Sequence, residues 1–167
     1  MTIGQLIAIR SAKNQPFALF DDTSLAPVDV AAQAGKGFTG VPGLDATLYP
    51  YQRDGIAFLQ LVAAQGVGCV LADEMGLGKT LQIIGLLQSE TNAARTPSLV
   101  VAPATLLENW RREIRQFAPQ MNCLVHAGPS RAGITERFAG YDVIITSFDT
   151  AIRDEPLLSG IQWNLLA

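Results

Sequence analysis

From Tyr51 onward, apolar residues alternate between two signatures at short intervals: recurrence at helical spacing and brief continuous runs. Tyr51, Phe58, Leu59 and Val62 share one helical face while Arg53, Asp54 and Gln60 fall on others, which predicts a helix over Tyr51 to Gln65 with Pro50 just ahead of it. Gly66 to Gly68 breaks that helix. Val67 to Ala72 is a short apolar run of the kind found in buried parallel strands. A Gly-rich turn leads into a second helix over Lys79 to Glu90, carried by Leu81, Ile84 and Leu87, and Thr91 to Pro97 reads as a polar loop. Ser98 to Ala102 is a second strand, ended by Pro103. Thr105 is the expected cap of a helix whose apolar positions Leu106, Leu107, Trp110, Ile114 and Phe117 keep the 3.6 period. Met121 to Val125 predicts a third strand, Ser130 to Phe138 a short helix ended by Gly140, and Asp142 to Thr146 a fourth strand. Ser147 to Arg153 begins another helix, and Ile161, Trp163, Leu165 and Leu166 suggest a further strand at the end of the chain.

Helices and strands alternating in this way predict an α/β fold, a parallel sheet with flanking helices. Residues 1–43 differ in kind. Pro16, Pro27, Gly35, Gly37, Gly40, Pro42 and Gly43 punctuate them, and only Ile3 to Arg10 and Phe17 to Phe20 are strand-like. They read as a small β-rich or irregular lead-in with a Gly/Pro linker from about Ala34 to Gly43, leaving 44–167 as the main domain.

Composition narrows the function classes. A chain of 167 residues holds one compact domain and cannot hold two lobes. Twelve Lys plus Arg against fifteen Asp plus Glu give a net charge of −3, so any contact with nucleic acid must be local. No stretch approaches the ~18 apolar residues of a membrane span, and a soluble cytoplasmic protein is expected. Cys69 and Cys123 lie far apart, each within an apolar segment, and read as buried structural thiols. His126 is the only histidine, which excludes His-based metal clusters and points to a satisfied side chain at a strand end.

The most informative stretch is Val70 to Thr80. An apolar run delivers Asp73-Glu-Met-Gly-Leu-Gly-Lys-Thr80, a tight loop that opens a helix N-terminus. Backbone N–H groups in such a loop approach phosphate oxygens, and the helix end adds partial positive charge. Gly76 and Gly78 are needed because a Cβ would block that approach. Lys79 would reach the terminal phosphates and the Thr80 hydroxyl would ligate Mg²⁺, which makes ATP with Mg²⁺ the expected ligand. The strict motif has Gly where Asp73 stands. Hydrolysis also needs carboxylates at the end of another strand. None follows the loop: Asp21 and Asp22 precede it, and Asp73 and Glu74 belong to it.

Asp73-Glu-Met-Gly-Leu-Gly-Lys-Thr80 resembles, letter for letter, the phosphate loop of the Swi/Snf-type DNA-dependent ATPases of helicase superfamily two, where Asp is the usual occupant of position 73. Leu48-Tyr-Pro-Tyr-Gln-Arg-Asp-Gly-Ile-Ala-Phe-Leu59 resembles that family's upstream adenine motif, with Tyr49 in place of the usual Arg. The resemblance implies that Gln52 recognises adenine, an amide being able to donate and accept on one base edge, and that Asp73, Glu74, Met75, Gly76, Leu77, Gly78, Lys79 and Thr80 surround the phosphates. Leu99 to Glu113 and Asp142 to Asp149 are similar to two later motifs, which implies that Thr105, Thr146 and Ser147 approach the backbone of double-stranded DNA without reading its sequence. Arg111, Arg112 and Arg115 form the local basic cluster, interleaved with Glu108 and Glu113 as on a solvated helix face. Trp110 sits in an apolar stripe and is expected in the core.

The likeness runs from about Leu48 to Ala167 and stops where the family places its Asp-Glu motif. It therefore implies a partial first RecA-like lobe of a P-loop NTPase, nucleoid-associated if bacterial, lacking the second lobe. Alone it is expected to bind nucleotide weakly, to turn over negligibly and to self-associate through an unpaired edge strand. Other superfamily-two motors, a P-loop small-molecule kinase and a non-enzymatic binding module are the alternative readings. The kinase's Arg-rich lid is not found in the sequence.

Overall fold

The computed structural model describes residues 38, 40–66, 68–91 and 96–167. The strand-like segments Ile3 to Arg10 and Phe17 to Phe20, and most of the lead-in, lie outside these residues.

Helix α1 spans Pro50–Ala64 and α2 spans Lys79–Ser89, each within a residue of its sequence expectation. Strand β1 is Ser98–Ala102, followed by a 3₁₀ turn at Ala104–Leu106 and by α3 at Leu107–Phe117. Strand β2 is Cys123–His126 and β3 is Val143–Ser147. Two short helices, α4 at Phe148–Arg153 and α5 at Glu155–Leu158, follow. The sheet is parallel in the order β1-β3-β2, with Val100 opposite Ile145 and Val125 opposite the same residue. Leu165 to Ala167 lies along the other edge of β1, exchanging main-chain hydrogen bonds with Leu99 and Val101. The expected final strand is thus a single bridge, Leu99 to Leu166.

Both faces of the sheet are covered, as a parallel sheet requires. Val100, Ala102, Val143 and Ile145 pack against Ile84 and Leu87 of α2 and Leu107 and Ile114 of α3. Leu99 and Ile144 point to the opposite face, where Phe138, Ala132 and Leu158 cover them. Every residue of β3 is buried. Trp110 is half-buried against the first of these clusters, in the core position expected for it. Val41 packs with Leu48 and Ile56, and Gln88 Nε2 donates to the Pro42 carbonyl at 3.2 Å, so residues on the two sides of position 43 are in contact.

Several expectations are corrected. Val67 to Ala72 forms no strand among the described residues, and Val70 is 78% exposed. An apolar run becomes a strand only where a neighbour completes its ladder, and no described strand pairs with this one. Cys69 is consequently exposed rather than buried, whereas Cys123, half-buried in β2, has its thiol pushed up by burial. Ser130 to Phe138 is two 3₁₀ turns, Gly128–Ser130 and Thr135–Phe138, instead of one helix. Thr105 lies inside the 3₁₀ turn before α3 and caps nothing; the N-cap position is Leu106. No described helix is long and apolar enough to cross a membrane.

Candidate functional site

The Gly-rich segment 73–78 leads directly into α2. Gly78 is the N-cap in the left-handed region at φ +76°, and Gly76 is also left-handed at φ +86°, conformations that L side chains rarely adopt. At Gly78 there is also no room: a Cβ would come within 2.5 Å of the Gln52 amide nitrogen. Lys79, the first residue of α2, folds back over the loop and its Nζ donates to the main-chain carbonyls of Asp73 at 2.7 Å and Glu74 at 2.8 Å. Among the described residues no carboxylate pairs with Lys79, and the first turn of α2 holds no acid. The loop therefore presents an ammonium and a positive helix end together.

Thr80 follows on the rim of a cavity of about 630 Å³. Met75, Gly78, Lys79 and Thr80 line one side, and Arg112 and Glu113 of α3 line the other. Met75 is 94% exposed. Arg112 bonds the Asn109 side chain and has no carboxylate partner among the described residues, whereas Arg111 pairs with Glu108 at 2.6 Å. The basic cluster thus divides between a solvated helix pair and the cavity wall. A cradle of one ammonium, one open helix N-terminus and one hydroxyl fits a nucleoside triphosphate and its Mg²⁺. Among the described residues no group of three His, Cys, Asp or Glu is assembled to bind a metal without such a ligand.

Gln52 is buried in the first turn of α1 and ties that helix to the loop. Its Oε1 accepts the Tyr49 N–H at 3.0 Å, and its Nε2 donates to the Leu77 carbonyl at 3.2 Å. Each half of the amide makes one bond to protein, which leaves a second N–H and a second lone pair for a base edge. Asp73 Oδ2 accepts from Gln82 Nε2 at 3.0 Å. Gln82 was not singled out by the sequence; the signal was a polar residue on the inward side of an apolar helix.

The residues expected on DNA gather at the C-terminal ends of the parallel strands, but they differ in availability. Thr105 is exposed. Thr146 is fully buried, and its hydroxyl donates to the His126 carbonyl at 2.8 Å, tying β3 to β2. Ser147 is 5% exposed; its Oγ accepts the Thr150 N–H and donates to Thr150 Oγ1, capping α4. Both hydroxyls expected to approach a phosphate are thus engaged with partners inside the fold. Thr146→Val is expected to cost about 1 kcal/mol, one buried hydrogen bond, and to leave duplex-DNA affinity within about twofold, about 0.4 kcal/mol. Urea denaturation and fluorescence anisotropy on a short duplex read the two quantities.

The family profile for the SNF2-related domain matches residues 51–167. This chain belongs to the SNF2-related family. It is 39% identical over 130 residues to the putative ATP-dependent helicase/translocase YwqA of Bacillus subtilis, covering 75% of this chain and 14% of that protein. It is 36% identical to the chromatin-remodeling ATPase INO80 of Cryptococcus neoformans, over 74% of this chain and 8% of the relative. Its fold matches the Sulfolobus solfataricus SWI2/SNF2 ATPase core in complex with dsDNA with a TM-score of 0.69 and 34% identity, across 78% of this chain and 27% of that one. The three-stranded parallel sheet and its flanking helices are those of the SNF2-type RecA-like core, of which this chain spans a part. The SNF2-related match begins at Tyr51, beside Gln52, and includes the whole phosphate loop.

Proposed function

We infer that the chain is the ATP-binding part of a Swi/Snf-type motor that couples ATP hydrolysis to movement along duplex DNA without sequence preference. The observation that carries this reading is the Lys79 loop: a glycine-capped helix start whose ammonium folds back onto the loop carbonyls and has no carboxylate partner among the described residues. Its setting in an SNF2-related chain supports duplex DNA as the track. In this reading Lys79 holds the terminal phosphates, the α2 N-terminus and loop amides hold the remaining oxygens, and Gln52 orients the base while coupling α1 to the loop. Mg²⁺, when bound with ATP, would neutralise phosphate charge, and Thr80 is the residue that would hold it.

Glu74, Met75 and Leu77 shape the loop by their main chains, and Asp73 shapes it through its carboxylate. In this reading Thr105, which is exposed, meets a DNA phosphate, and Thr146 and Ser147 order the strand end beside it. The chain spans 14% of the length of its Bacillus subtilis relative, and for the chain by itself we expect weak nucleotide affinity and negligible turnover. The test is ATP hydrolysis by the intact protein with and without duplex DNA. Stimulation of tenfold or more, about 1.4 kcal/mol in transition-state terms, is expected, and no stimulation by any DNA or RNA overturns the motor assignment.

A further inference from the structure

Gln82 lies two residues beyond Thr80 on α2 and is fully buried. Its Nε2 donates to Asp73 Oδ2 at 3.0 Å, while its Oε1 is buried without a hydrogen-bond partner among the described residues. The assignment of the two amide atoms follows from Asp73, since a carboxylate accepts only from the nitrogen. The oxygen is pressed against α1 at Gly55, where a Cβ would stand 1.9 Å from it. Only glycine leaves that space. An orphaned buried carbonyl costs stability, and an apolar side chain of similar length would avoid the cost. Stability therefore does not account for Gln82.

We propose that Gln82 is a positioning residue for the phosphate loop: lodged in the slot at Gly55, it holds the Asp73 carboxylate and so sets the loop around the phosphates. This rests on the phosphate-loop reading above. Asp73 is held at two points, its carboxylate by Gln82 and its carbonyl by Lys79. When Lys79 turns to phosphate, the Gln82 bond remains and keeps the loop open in shape. Gln52 holds the other end, at Leu77. Two amides from the packed pair of α1 and α2 thus span the loop.

The variant Gln82→Met removes the amide at nearly constant volume. In the full chain it is expected to weaken binding of a fluorescent ATP analogue with Mg²⁺ by about tenfold, the loss expected from one hydrogen bond to a charged group. The unfolding midpoint should stay nearly equal, because loss of the bond to the exposed Asp73 carboxylate is offset by removal of the orphaned oxygen. Amide hydrogen exchange at residues 73–80, measured without nucleotide, should accelerate. Gly55→Ala, which by helix propensity alone favours α1, should displace the Gln82 amide and reproduce the weaker binding and the faster exchange. Unchanged exchange at residues 73–80 in folded Gln82→Met overturns the proposal, as does unchanged analogue affinity. If the unsubstituted chain binds the analogue no better than Lys79→Ala does, the phosphate-loop reading fails instead, and the exchange comparison still decides the role of Gln82.

Discussion

Replacing Lys79 with alanine is expected to abolish measurable nucleotide binding while leaving the fold intact. Lys79 is half-buried, but its ammonium makes solvent-exposed bonds to two main-chain carbonyls and meets no acid among the described residues. Its bonds to Asp73 and Glu74 can therefore be exchanged for bonds to phosphate without separating an ion pair. Two charge-assisted hydrogen bonds to phosphate at about 1.5 to 3 kcal/mol each amount to a loss of a hundredfold or more in affinity. The helix N-terminus alone supplies only about 0.3 to 1 kcal/mol, too little to compensate. Arginine should not rescue, because its planar fork is longer and cannot fold back onto the carbonyls of the fifth and sixth preceding residues. Global stability should change by less than about 1 kcal/mol, since the side chain lies outside the three apolar clusters. Titration of a fluorescent ATP analogue with Mg²⁺ and urea unfolding of the same preparation separate the two effects. Binding by Lys79→Ala equal to that of the unsubstituted chain would remove the loop from the site altogether.

That loop was legible in the sequence because its determinants are local: glycines at left-handed positions, a lysine at a helix start and an apolar run before it. The same holds for β1 and α2, whose bounds follow from Pro103 and from the glycine cap. What depends on distant partners was not legible. Val67 to Ala72 has the composition of a buried strand, but no described neighbour completes its ladder, so composition and structure part there. Thr146 and Ser147 show the same limit at the level of one atom. The sequence places two hydroxyls at a strand end; whether each faces outward is decided by the His126 carbonyl and by Thr150, 20 and three residues away. In a strand buried on both faces, a hydroxyl must be satisfied inside, and this makes Thr146 a tie between strands. Gln82 is illegible for the opposite reason, being a polar residue hidden in an apolar helix face and packed against Gly55, which carries no side chain.

His126 is where the largest loss of stability is expected. It is fully buried at the end of β2, with Nδ1 accepting the Ala132 N–H at 3.0 Å, which leaves the ring proton on Nε2. Nε2 donates to Asp154 Oδ2 at 2.8 Å, and Arg131 Nε reaches the same oxygen at 3.3 Å. Phe138 packs edge-on at 5.2 Å between ring centroids. Asp154 joins α4 to α5, and its carbonyl accepts the N–H groups of Leu157 and Leu158, so one imidazole links β2, the turn at residue 132 and the two final helices. His126→Ala opens a cavity beside Phe138 and strands the Ala132 N–H, and it leaves Asp154 with Arg131 alone. Together these should cost about 3 to 5 kcal/mol, a large share of a total stability of about 5 to 15 kcal/mol. Asp154→Asn keeps an acceptor for Nε2 and gives up only the Arg131 pairing, with that arginine 41% exposed, so about 1 kcal/mol is expected. The double variant His126→Ala with Asp154→Ala should lose less than the sum of its single changes, because removing the carboxylate also removes a group left half-paired. Urea unfolding of the four chains measures the coupling directly. A cost below about 1 kcal/mol for His126→Ala, within the range of ordinary surface changes, would mean that β2 and the terminal helices are held together by their apolar contacts and that the imidazole only fills space.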